Sequence, residues 1–68
     1  MKIIDYTKDN STVEVSADEL LIFNAALNEV SNGIALFEFD TRIGASREEV
    51  AALLTGVSDI LDKMQQKK

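Results

Sequence analysis

The chain has 68 residues, 46% of them hydrophobic and 28% charged, with a formal net charge of −5 and neither cysteine nor histidine. That composition is globular rather than disordered, and it excludes a disulfide framework, the usual zinc sites and all thiol or imidazole chemistry. A single domain, residues 1–68, of this size buries only about 60% of the surface its unfolded chain exposes, and small domains without such braces recruit a second subunit, so a homodimer is predicted.

Charge is distributed more unevenly than its sum shows. Between Asn10 and Asp62, ten acids stand against Arg42 and Arg47 alone, a local net of −8. Nucleic-acid binding depends on Lys and Arg displacing counterions, and this surface repels phosphates. A basic protein is therefore a better partner than nucleic acid. Lys63, Lys67 and Lys68 gather where they complement the negative pole of a terminal helix. No run approaches the roughly 18 apolar residues of a membrane span, and "MKIIDYTKDN" meets Asp5 before a signal-peptide core develops. A cytoplasmic protein without membrane contact is the expectation.

In chain order, "KIIDYT" and "TVEVS" flank the turn formers "KDNS" and predict a β-hairpin. A loop centred on Asp9-Asn10 pairs Tyr6 with Val13 and Ile4 with Val15, setting these four toward the core and Asp5 opposite Glu14. Two strands alone are not independently stable and leave two open edges, so helices are expected on one face of the hairpin. Ser16 with Glu19 forms a capping box that starts a first helix, with Asp18 favoured by the dipole. Leu20, Phe23, Leu27 and Val30 follow at 3-4-3 spacing, and Ser31-Asn32-Gly33 ends the helix, with Gly33 as its left-handed cap. Leu21 and Ile22 fall outside that stripe, which predicts cover on more than one side.

Ser46 and Glu49 repeat the capping box and open a long helix over residues 47–66, about 30 Å at 1.5 Å per residue. Its apolar positions are Val50, Leu53, Leu54, Val57, Ile60, Leu61 and Met64, and Asp59 precedes Lys63 as an i,i+4 pair. Gly56 in its middle weakens it by about 1 kcal/mol relative to alanine, which calls for close packing against a neighbour. A hairpin and one shorter helix scarcely cover such a stripe, so part of it is assigned to a second subunit.

The stretch "IALFEFDTRIGAS" between the helices reads two ways. As a strand it sets Ala35, Phe37, Phe39 and Thr41 against Ile34, Leu36, Glu38 and Asp40; as a helical turn it aligns Leu36, Phe39 and Ile43. A short helical or irregular connector is the preferred reading. Its helical form resembles a helix-turn-helix, but the would-be recognition helix "SREEVAALL" offers Arg47 beside Glu48 and Glu49, the wrong charge for phosphates. "DYTKDNSTVE" fails as a calcium loop, since Asn10 and Ser16 stand where glycine and glutamate are needed. With no histidine, and no lysine between Lys8 and Lys63, no base is apparent to activate a hydroxyl, so the expectation is a non-enzymatic protein with no cofactor and no metal.

"ALNEVSNGI" followed by "FEFDTRIGASREEVAALL" resembles a group of small bacterial proteins without assigned activity, in which a helix ending N-E-V-x-N/H-G precedes E-F-x-T-R-x-G and an acidic helix start. The matching positions are Asn28, Glu29, Val30, Asn32, Gly33, Glu38, Phe39, Thr41, Arg42 and Gly44, within residues 26–54. The resemblance implies a bacterial, cytosolic, non-enzymatic protein and supplies no site.

The sequence thus predicts an α+β domain in the order strand, strand, helix, connector, long helix (ββαα), paired as a homodimer. The functional expectation is an acidic protein-binding module, immunity-like or antitoxin-like, that contacts a basic partner through Phe37, Glu38, Phe39, Asp40 and Arg42. Core filling is the competing role for the two phenylalanines. The alternative functions are a self-associating structural or regulatory protein with no other partner, and a helix-turn-helix-like DNA-binding regulator.

Overall fold

A computed structural model describes residues 1–33 and 35–67. Strands β1 (Lys2–Tyr6) and β2 (Ser11–Glu14) form an antiparallel hairpin, followed by α1 (Ala17–Asn28), a π-helical turn (Glu29–Gly33), the short helix α2 (Phe39–Ile43) and the long helix α3 (Arg47–Gln65). This is the ββαα order of an α+β fold, with a short helix in the connector rather than a third strand. Ile34, which the strand reading set on one face of the connector, and Lys68 of the terminal basic cluster lie outside the described residues.

The hairpin departs from the expected register. Thr7 N–H donates to the Asn10 carbonyl at 2.7 Å, and the Thr7 hydroxyl accepts from the N–H groups of Asp9 and Asn10 at 3.3 and 3.0 Å. Threonine thereby centres the turn on Lys8-Asp9, one residue earlier than the Asp9-Asn10 centre, and a local side-chain bond decides the loop. Tyr6 pairs with Ser11 and Asp5 with Thr12; a bulge between Ile3 and Asp5 then brings Ile3 opposite Val13 and Lys2 opposite Glu14. The slip replaces the unfavourable Asp5/Glu14 juxtaposition with an opposite-charge pair.

Nor do the helices pack on the hairpin. Every residue of both strands is exposed, Tyr6 at 74%, so Ile4, Tyr6 and Val13 do not face a core and Val15 is only half-buried. The link to the helices at this end is the Met1 ammonium, which donates to Glu19 Oε2 at 2.6 Å.

Both capping boxes form. The Ser16 and Ser46 hydroxyls accept from the N–H groups of Glu19 and Glu49 at 3.1 Å, while each glutamate accepts the serine N–H in return. These starts are local chemistry and do not depend on packing. The first helix ends differently from expectation. Gly33 has no positive φ; the chain widens instead into a π turn in which Asn32 Nδ2 donates to Asn28 Oδ1 at 3.0 Å. A Cβ on Gly33 would meet the flexible Glu29 carboxylate one turn below.

The core lies between α1 and α3, closed at one end by α2. Leu20, Phe39, Val50 and Leu61 are its buried members, with Leu27, Val30, Leu54 and Val57 half-buried around them. Ser58 Oγ donates to Asn24 Oδ1 at 2.7 Å and ties the two helices together at a partly buried site. Phe23, expected in the α1 stripe, is at its exposed margin, and Leu21 and Ile22 are uncovered by the chain. The expected Asp59–Lys63 pair is not formed either: among the described residues the ion pair is that of Met1 with Glu19.

Candidate interaction surface

The five residues proposed from sequence as partner contacts sit on and just before α2, and the structure divides them. Phe37 is 79% exposed, whereas Phe39, two positions on, is 5% exposed. Glu38 between them is in the left-handed region, φ 54 and ψ 51, the only non-glycine residue with positive φ among those described. A left-handed non-glycine residue costs on the order of 1 kcal/mol. Here it stands between the two rings, at the N-cap of α2.

Phe39 is held in place by its neighbours. The Arg47 guanidinium lies over its ring, 4.4 Å from the centroid, and Arg47 Nη2 donates to the Leu36 carbonyl at 3.4 Å. This stacking fixes α2 against the start of α3. It also draws Arg47 back onto the protein's own connector, away from the outward position a recognition helix would need. Gly44, at φ 81, ends α2 as a left-handed cap and donates its N–H to the Asp40 carbonyl at 2.8 Å. Glu38, Asp40 and Arg42 remain exposed beside Phe37.

The residues of the quoted motif therefore have structural work to do. Asn28 and Asn32 clasp the π turn, Val30 within it is half-buried, Phe39 fills the core, and Gly44 supplies a conformation that a Cβ would strain.

A second feature was visible in the sequence only as an excess. Helix α3 carries two apolar lines. Val50, Leu54 and Leu61 point at α1, with Ser58 at their edge. Leu53, Val57, Ile60 and Met64 fall within about 60° of one another at 100° per residue, beside the first line. The second line is largely uncovered, with Leu53 60% and Ile60 48% exposed. Ile3, Ile4 and Tyr6 add uncovered apolar surface on the hairpin.

The total exposes the same excess. The chain's accessible surface is 5626 Å², against about 4,200 Å² for a compact protein of its 7.5 kDa mass. Its radius of gyration is 13.7 Å, where about 11 Å is ordinary for this length. Roughly 1,400 Å² is thus exposed beyond the need of a self-contained domain.

Electrostatics at the helix starts are simple. Hydrogen bonding from the Met1 ammonium, then from the Ser16 backbone, holds the Glu19 carboxyl below the usual carboxylate range, and the Ser46 backbone and hydroxyl do the same for Glu49. Among the described residues no group of three or more carboxylates is placed to hold a metal ion, and no helix is long and apolar enough to cross a membrane. A shallow depression at the hairpin turn, lined by Asp5, Tyr6, Thr7, Asn10, Ser11 and Thr12, is open and small, about 60 Å³. Drug-sized ligands take pockets of about 300 Å³ or more. Compared with known proteins, the chain has no significant match among family models, curated proteins or solved structures.

Proposed function

We propose that this chain is a non-enzymatic, acidic protein-binding module that works as a homodimer in the cytoplasm. The observation that carries the reading is the apolar side chains left uncovered on α3 and the hairpin, in a chain whose total surface is roughly 1,400 Å² larger than a compact monomer's. Stable interfaces bury about 800 Å² per partner, so the surplus is enough for a second copy and leaves area over. Phe37 and its charged neighbours Glu38, Asp40 and Arg42 form the contact for a heterologous partner, since an aromatic held outward on a strained turn is a rigid anchor. The net charge of −5 selects for a basic partner and speeds encounter with it. An immunity-like or antitoxin-like role toward a basic protein is the concrete form, by analogy of charge and size.

The test pairs Phe37→Ala with the charge reversals Glu38→Lys and Asp40→Lys. Because Phe37 contributes nothing to the core, its melt should match the native chain's while capture of a basic protein from native extract is lost, and native capture should weaken as salt rises. Undiminished capture by both variants would refute this contact. The same surplus area also supports a self-associating protein whose second copy is its only partner. Capture of no basic protein by a chain that still self-associates would favour that reading.

A further inference from the structure

The geometry points to Gly56 as the crossing point of a two-fold interface, where α3 of one copy lies antiparallel across α3 of a second copy. This rests on the proposed self-association and names the surface that performs it.

The first observation is an unexplained glycine. Gly56 is in the middle of α3, with nine residues before it and nine after in Arg47–Gln65. It has no positive φ, so its backbone gives no reason for a glycine. A Cβ added there meets nothing within 4 Å, so no neighbour in the chain needs the space. A mid-helix glycine that weakens its helix relative to alanine is accounted for when another backbone approaches it closely, and here that backbone belongs to another molecule.

The second observation is what surrounds it. Gly56 is beside Leu53 and Ile60, three and four residues away, at the edge of the uncovered line of α3. A helix crossed by its own antiparallel copy at residue 56 brings Leu53 within one residue's rise, about 1.5 Å, of Ile60 of the second copy, and Ile60 as near to its Leu53. Both apolar halves are covered at once, as an isologous contact requires.

Charge chooses the partner and the direction. Glu49 and Lys63 stand seven residues to either side of Gly56, on the same flank of the helix at 3.6 residues per turn. Both are exposed, and Lys63 makes no ion pair among the described residues. In the antiparallel crossing Glu49 of each copy is level with Lys63 of the other, giving two opposite-charge pairs. A parallel crossing would set glutamate beside glutamate and lysine beside lysine. Over the whole chain, hairpin included, the surplus surface of roughly 1,400 Å² leaves room for the about 800 Å² per partner of an ordinary interface.

Four chains are compared by sedimentation equilibrium and by melts at low and high concentration: native, Gly56→Ala, Gly56→Leu and the control Ile22→Ala. The native chain should be dimeric at micromolar concentration. In dilute solution Gly56→Ala should melt higher than the native chain, since alanine favours the helix, and yet dimerise at least tenfold more weakly. Gly56→Leu should weaken the dimer a hundredfold or more while keeping its helix content, and the control Ile22→Ala, on the outer face of α1, should dimerise normally. Because the chain has no cysteine, mixing two single-cysteine variants, Leu53→Cys and Ile60→Cys, under oxidation should give chiefly the mixed 53–60 disulfide. A native monomer would overturn the self-association reading and this inference with it. A native dimer that tolerates Gly56→Leu, or one that links 53 to 53, would overturn the crossing alone and leave self-association standing.

Discussion

The inner and outer lines of α3 are built from the same kinds of residue and fare oppositely. Val50, at 3% exposed, and Leu61 are buried on the side of α3 that packs against α1, whereas Leu53, Ile60 and Met64 lie open one stripe away. Nothing in residue type separates the two lines. What separates them is that α1 is a single helix and can cover only one side of α3, and that the hairpin, exposed along both strands, does not cover the other. A short chain can satisfy every local rule of helix and hairpin formation and still lack enough elements to enclose what those rules build.

The sharpest way to break the comparison is at the plug of the inner line. Phe39→Ala should cost about 3–5 kcal/mol, comparable with the whole stability of a domain this size, at about 0.05–0.15 kcal/mol per residue. A cooperative urea transition should be lost. Retention of that transition would mean the inner core does not depend on α2.

Leu61→Ala and Leu53→Ala compare the two lines directly. In dilute solution the inner substitution should lose about 2–5 kcal/mol and the outer one no more than about 0.5 kcal/mol. At high concentration the outer substitution should become costly as well, since it removes part of the proposed joint between copies. Equal costs at every concentration would show that the two lines are equally buried within one chain.

Smaller effects test the local rules. Ser46→Ala should destabilise α3 by about 1 kcal/mol, seen as fraying of its first turn in hydrogen exchange. The same boxes give a pH dependence whose sign follows from the lowered carboxyls. Glu19 and Glu49 titrate below their ordinary 4.5 in the folded chain, so their support is complete above that value and is lost as pH falls through the lower, folded one. The melting temperature should therefore drop on acidification below the ordinary glutamate range, and a Ser46→Ala chain should drop less. Finally, Glu38→Gly should relieve the left-handed turn and stabilise by about 0.5–1 kcal/mol, while reducing partner capture by removing one carboxylate of the proposed contact.

Much of the fold was legible because its signals are local. Each capping box needs four consecutive residues and nothing else, and both helix starts appear where Ser16 and Ser46 set them. The hairpin was legible in kind but not in register, since Thr7 competes with Asp9-Asn10 for the turn through a hydroxyl bond that composition does not reveal. Gly33 departs from its sequence signal for a related reason: glycine at a helix end signals a left-handed cap, but the chain runs on into a π turn across which Asn32 bonds to Asn28. Coverage was illegible in principle. The alternation of Ile4, Tyr6, Val13 and Val15 says that a face is apolar, not which molecule lies against it. At the candidate site, the pair Phe37 and Phe39 was visible as aromatic, but only the positive φ of Glu38 sends one ring outward and the other under Arg47.

The central claim is that this chain exposes an apolar helix line that only another molecule can close, and sedimentation equilibrium of the native protein from about 1 to 100 μM tests it most directly. A reversible species of about 15 kDa, twice the chain's 7.5 kDa, with a melting temperature that rises with concentration, is the predicted result. A monomer across the whole range, melting cooperatively at one temperature, would contradict it.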